Sequence, residues 1–217
     1  MIISCEEAAE AIASGHIIAI PTDTVYGLAC SPYNRAAIDR IYAIKGRPST
    51  LELTVMGSAY TALKDIVVTN DVSDRIANAC LPGPVSLVLT THNRLPGFVL
   101  PLQGTTLAVR VPQHEAIFDL CSRVGLLATT SANRHGYPPA VSPAEVETYM
   151  GSDVDGILEG TCAFGMPSTI IDCTCMPVRF LRSGPISQEY IEALLSQEGE
   201  KVTSILDSPK ESKDVSG

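Results

Sequence analysis

Hydroxyls, cations and a carboxamide recur at the ends of apolar runs in this sequence. Thr22 and Thr24 follow the apolar run His16–Ile20, with Asp23 between them. Lys45 and Arg47 stand at and beyond the end of a stretch, 34–44, whose pattern predicts a helix capped by Asn34 and stopped by Gly46 and Pro48. Thr106 and Arg110 are four residues apart in the β-rich run 105–112, so a strand turns both to one face. The same alternation puts Ser131 and Asn133 on one face of the run 126–133. Ser168 and Thr169 open one strand-like segment and Arg182 closes the next, while Ser142 stands before Pro143 at a helix start. Lysine and arginine beside loop hydroxyls suit an anionic ligand such as a polyphosphate. An arginine inside "LAVRVP" is costly to bury without a partner, and a ligand carboxylate or phosphate would be one.

Plainer readings stand beside these. Lys45 and Arg47 could serve only to offset the negative end of a helix. Ser131 and Asn133 are also turn formers, Ser168 an ordinary strand-start serine, and Arg110 could pair with an acid such as Glu115. Each signal is weak alone. Their shared position, always at an element end, favours a common site, and in an open α/β sheet such ends meet in a crevice.

The elements that must position these residues alternate. Helices are expected over 4–14, with a Ser4/Glu7 capping box, then over 34–44, 58–67, 70–79, 113–123, from Ser142 onward, and over 186–197. Strands are expected over 16–20, 53–56, 81–91 after a Pro/Gly turn, 105–112, 126–133 and 155–160, with a hairpin over 167–174 and 178–184. Some strands adjoin with no helix between them, which predicts a mixed sheet in an α/β fold. The length of 217 residues fits one large domain, assigned to 1–198, followed by a polar tail over 199–217 read as disordered.

Composition narrows the classes. A net charge of −9 and 5% aromatic residues without tryptophan argue against a protein that coats nucleic acid. A locally basic cleft in an acidic chain selects for small anions instead. The seven cysteines are odd in number and contain no Cys-x-x-Cys, so reduced thiols and no structural zinc are expected. The four histidines lack metal-ligand spacing, and no metal ligand is assigned. No targeting peptide and no apolar run near the ~20 residues of a membrane span are present, so a cytoplasmic protein without membrane contact is expected. The phosphate-binding and nucleophile motifs G-x-x-x-x-G-K-[ST], G-x-G-x-x-G and G-x-S-x-G are absent.

Seven ordered segments carry a resemblance: "PTDTVYGL" (21–28), "KGRP" (45–48), "LPGPVSLVL" (81–89), "AVRVP" (108–112), "TSAN" (130–133), "STIID" (168–172) and "LRSG" (181–184). In this order and spacing the chain resembles the YrdC/TsaC family of L-threonylcarbamoyladenylate synthases, from about residue 6 to 190. The resemblance implies a twisted open mixed sheet with flanking helices and a concave basic ligand face. It implies condensation of L-threonine, bicarbonate and ATP, as the magnesium complex, to threonylcarbamoyl-AMP and pyrophosphate, with no tightly bound cofactor. The product then goes to a separate transferase complex acting on tRNA position 37, with at most a weak tRNA contact by this chain. Carried over, Thr24, Arg110, Ser131 and Ser168 hold threonine; Lys45, Arg47, Thr106, Asn133, Ser142 and Arg182 hold ATP, with Lys45 and Arg47 catalytic. The chain departs from the family after "KGRP": Glu52 stands where proline is usual and Met56 where histidine is common. Two other readings stay open at this stage, a carbamoyl-adenylate-forming domain of the hydrogenase-maturation type and an RNA-binding module of the same fold.

Overall fold

Side chains suited to cap helices sit at helix ends in the computed structural model, which describes residues 1–46, 53–92, 97–100, 104–196 and 202–204. Ser4 and Glu7 close a capping box on α1 (Cys5–Ala13). Asn34 accepts from the Ala37 N–H at the start of α2 (Arg35–Lys45), and Gly46 ends that helix at φ 60°, where a side chain would be strained. Asn70 and Ser73 box the start of α4 (Asp71–Cys80), and Ser142 caps α6 (Pro143–Met150). The other helices are α3 (Tyr60–Lys64), α5 (Glu115–Val124) and α7 (Gln188–Ser196).

Between them run β1 (Ile2–Ile3), β2 (Ile18–Ile20), β3 (Gly27–Cys30), β4 (Thr54–Met56), β5 (Val67–Val68) and β6 (Val85–Thr91). They are followed by β7 (Thr106–Arg110), β8 (Leu127–Ser131), β9 (Gly156–Leu158), β10 (Thr169–Asp172), β11 (Val178–Arg182) and β12 (Val202–Ser204). Among the described residues they form one sheet in the order β1-β9-β2-β3-β8-β4-β7-β6-β10-β11-β12, with β5 on β6. The sheet is mixed as expected: β4 runs parallel to β7 and β6 to β10, while β8 runs antiparallel to both its neighbours, β3 and β4.

Several elements differ from the sequence reading, among them β1, which it did not expect. In that reading Tyr26 and Gly27 close the turn and residues 28–30 belong to no element; Gly27–Cys30 forms β3, a short apolar strand paired on both sides and buried throughout. The helix expected over 58–67 stops at Lys64, because Val67 and Val68 pair antiparallel with Thr91 and Thr90 of β6, where β-branched side chains fit. Within the polar segment 199–217, Val202–Ser204 adds a parallel strand to β11, whose outer edge offers unpaired backbone groups. The rest of that segment lies outside the described residues.

Period-two alternation sorts the sheet residues onto two faces. Val55, Leu87, Val109, Ala128 and Ile171 point into the larger core, which α2, α4, α6 and α7 complete with Ile38, Ile41, Ile76, Val146 and Ile191. On the opposite face, α1 and α5 bury Ile12, Ile117 and Leu120 against Ile18, Ile20 and Leu127. That second layer covers only one end of the sheet. Thr54, Ser86, Thr106, Arg110, Thr129 and Ser131 lie beyond it, on the open part of the same face.

Candidate functional site

The uncovered strands enclose a cavity of about 490 Å³, a volume suited to a small-molecule ligand. Its lining includes Thr24, Thr106, Arg110, Ser131, Ser168 and Arg182, drawn from five strands or strand ends more than 150 residues apart in sequence. These six side chains were singled out from sequence alone, and the sheet brings them together.

Arg110 forms the floor of the cavity. Its side chain is 4% exposed, so its charge needs internal partners. Nε donates to Gly83 O at 3.1 Å, Nη1 to Thr24 Oγ1 at 2.9 Å and Nη2 to Asp23 Oδ1 at 2.5 Å. The acid that pairs with it is therefore Asp23, on the turn after β2, rather than Glu115, which is exposed at the start of α5. Burial pulls the Arg110 guanidinium down to about 10, Asp23 opposing the fall and the like charge of Arg182 adding to it. It remains a cation at neutral pH.

Arg182 closes the other side. Its Nε donates to Ser168 O at 2.9 Å and Nη2 to Ser168 Oγ at 3.1 Å, and Ser168 Oγ lies 2.9 Å from Ser86 Oγ. Burial lowers the Arg182 guanidinium as well. Gly184, two residues on, allows this approach, since a Cβ there would stand 2.2 Å from Thr169 N.

Lys45 reaches the site from behind β8. It is buried, and its Nζ donates to Ser131 O at 2.7 Å, Ser131 Oγ at 3.3 Å and Asn133 Oδ1 at 2.5 Å. Asn133 in turn donates to Tyr137 O, and His135 N–H donates to Lys45 O at 2.9 Å. The loop after β8 is thus clipped to the end of α2. Asn133 lines a separate depression of about 300 Å³, with Arg134, Tyr137, Pro138 and Tyr149. Lys45 and Asn133 therefore do not line the main cavity; both bond Ser131, which does. Ser142 is not brought in: its Oγ accepts from the Glu145 N–H at 3.3 Å as the cap of α6, and it does not line the cavity. Arg47 and Glu52 lie outside the described residues.

The sequence reading passed over several lining residues. Ser86 is the one polar side chain in the buried run "VSLVL", a signal that was present. Thr129 and His135 carry no such mark. Met56 lines the cavity directly beside Arg110, its register partner on β7. Asp23 was noted only as a turn residue. The described residues hold no group of three His, Cys, Asp or Glu placed to hold a metal ion. None of their helices is long and apolar enough to cross a membrane. All seven cysteines are free thiols.

Hydroxyls and two arginines facing one hollow, with no nucleophile–histidine pair among them, fit positioning and charge neutralisation of anionic reactants rather than covalent catalysis. A family model described as telomere recombination, built on Sua5, YciO and YrdC, matches residues 10–184. The chain is 38% identical over 157 residues to the threonylcarbamoyl-AMP synthase of Pseudomonas fluorescens (strain Pf0-1), covering 71% of this chain and 84% of that protein. Among solved structures, Sua5 of P. abyssi complexed with L-threonine superposes with a TM-score of 0.84 at 30% identity, over 91% of this chain. This chain spans 58% of that one's length. YciO of E. coli superposes at 0.78 with 25% identity, covering 86% of this chain and 92% of its own.

Proposed function

From the premise that this chain belongs to the Sua5/YciO/YrdC family, we propose that it makes threonylcarbamoyl-AMP and pyrophosphate from L-threonine, bicarbonate and ATP. One observation carries the reading: Arg110 and Arg182 face a single hydroxyl-lined cavity large enough for two reactants side by side. The likeness to a Sua5 solved with L-threonine supports the amino acid as one of them.

The chemistry asks for little covalent help. The threonine nitrogen, as the free amine, forms a bond to the carbon of bicarbonate, and water leaves to give a carbamate. A carbamate oxygen then attacks the α-phosphorus, and the bond to the β-phosphate oxygen breaks to release pyrophosphate. The protein must hold both reactants in line and offset charge on the transferring phosphoryl group. Arg110 holds the threonine carboxylate, with Thr24, Ser131 and Ser168 around the rest of the amino acid. Thr106, Arg182, Asn133 and Lys45 hold ATP, and Arg47, from the same "KGRP" segment, completes the phosphate grip. Magnesium enters with the phosphates as part of the substrate: the lining offers hydroxyls and guanidinium groups, and Asp23, the carboxylate beneath it, is engaged by Arg110. The product passes to a tRNA threonylcarbamoyl transferase complex for position 37.

Pyrophosphate release from ATP tests the reading. It is expected to require both L-threonine and bicarbonate, and to vanish in Arg47→Ala with the fold intact. Release driven by carbamoyl phosphate instead would point to a carbamoyl-adenylate former. No turnover, together with tight salt-sensitive RNA binding, would point to an RNA module.

A further inference from the structure

Asp23 is buried almost completely, at 3% exposure, on the turn between β2 and β3. Its Oδ1 accepts from Arg110, and its Oδ2 has no partner among the described residues. A carboxylate that deep with a single partner does not pay for itself in stability, since a well-packed apolar pair is commonly as good or better. Its one hydrogen bond among the described residues runs to the arginine on the cavity floor. Arg110 has five N–H donors, and Gly83 O, Thr24 Oγ1 and Asp23 Oδ1 take three of them, on three different nitrogens. The guanidinium is therefore fixed in plane and rotation, and one N–H remains on each terminal nitrogen. Two donors on neighbouring nitrogens can meet the two oxygens of a carboxylate. Among the described residues Arg182 also faces the pair, a cation lining the same cavity, so without Asp23 the repulsion between the two arginines is no longer offset by that carboxylate.

We infer that Asp23 is a positioning residue for the amino-acid substrate: by gripping one terminal nitrogen of Arg110 it aims the remaining two N–H groups at the substrate carboxylate. The inference rests on the reading that Arg110 holds that carboxylate. Asp23 itself touches neither the substrate nor the reacting atoms. Its removal leaves the cation in place but frees its orientation, and a small misorientation is enough to lose affinity.

The experiment compares L-threonine with L-threoninol, which lacks the carboxylate, by direct binding to the full chain, with ATP binding measured on the same samples. For Asp23→Asn the threonine affinity is expected to fall about tenfold or more, with threoninol and ATP affinities within about twofold of the parent. Asp23→Glu, which restores the charge on a longer arm, should recover part of the loss. Arg110→Gln should abolish the preference for threonine over threoninol, and adding Asp23→Asn to it should change nothing further, because the two residues act as one unit. Loss of the preference in Arg110→Gln with full retention in Asp23→Asn would overturn the positioning role and leave the carboxylate site standing. Retention in both variants would remove the underlying reading of the site. Parallel loss of threonine, threoninol and ATP binding in both Asp23 variants would mark a structural role and overturn the inference.

Discussion

The hydroxyl of Thr22 shows how one atom organises the turn under the cavity. Its Oγ1 donates to Val25 O at 2.7 Å and accepts from the N–H groups of Thr24 and Val25 at 3.1 and 3.3 Å. Having used its only proton on Val25, Thr22 accepts from the Thr24 hydroxyl, 2.9 Å away, while the two N–H groups share its other lone pair. Thr24 then has a free lone pair for Arg110, and a directed chain runs from Arg110 through Thr24 and Thr22 to the backbone. Thr22→Val keeps the shape and removes the oxygen, leaving two N–H groups and a hydroxyl unpaired in a buried turn. Urea denaturation should show a loss of about 1–3 kcal/mol, with Thr22→Ser well above Thr22→Val in stability. Threonine-dependent turnover should fall in the valine variant, because Thr24 loses the acceptor that orients it. The residue types of this turn were legible in the sequence as chemistry-bearing. The acid–arginine pair was not, since nothing local ties position 23 to position 110 across 87 intervening steps of chain.

At the scale of elements, the hairpin of β10 and β11 sets where Arg182 and Ser168 meet. Ile171 pairs with Phe180 and Ile170 with Arg182, so Leu181 is an extra residue on β11 and the register shifts there. Without that bulge Phe180 and Arg182, two apart, would share a face. With it Phe180 is buried in the larger core while Leu181 and Arg182 line the cavity. Helix ends, most strands and the hairpin were readable because caps, breakers and alternation are local signals. The bulge and β3 were not, because both are fixed by pairing with distant strands: β3 by Ser131 through Ala128 of β8, the bulge by Ile170 and Ile171. The far end of the hairpin is locked by Asp172, which accepts from the Thr174 N–H and hydroxyl at 2.9 and 2.6 Å and from Arg179. Burial alone would raise the Asp172 carboxyl, but these bonds outweigh it and hold it below the ordinary value. A lowered folded value means that the carboxylate stabilises the fold above about pH 3.9, the unfolded value. That contribution drains away as pH falls through the lowered folded value. Thermal melts from pH 6 downward should therefore show stability falling most steeply below about pH 4, and Asp172→Asn should be less stable at pH 6 and flatter with acid. An unchanged slope in the variant would mean that the lock contributes nothing.

Over the whole molecule, charge is segregated. The chain carries 24 acidic against 15 basic residues, a net of −9, yet two arginines line the cavity and Lys45 stands behind its wall. A small anion feels mostly the local cations once inside, because the low-dielectric walls focus their field. A polyanion as long as tRNA must also lie along the rest of a chain whose net charge is −9, and so meets net repulsion. The same molecule should therefore capture ATP and hold tRNA poorly, as the proposed function requires. Fluorescence anisotropy with a tRNA at 50 and 200 mM salt should give dissociation constants no tighter than roughly 10⁻⁵ M at the higher salt, and a shallow dependence of log K on log salt corresponding to about two phosphates or fewer. ATP binding should weaken only modestly over that range, since screening reduces the attraction of the cavity and the repulsion of the surface together. Submicromolar tRNA affinity with a slope of about six phosphates or more would reveal a basic surface beyond the cavity and move the chain's main ligand from nucleotide to nucleic acid.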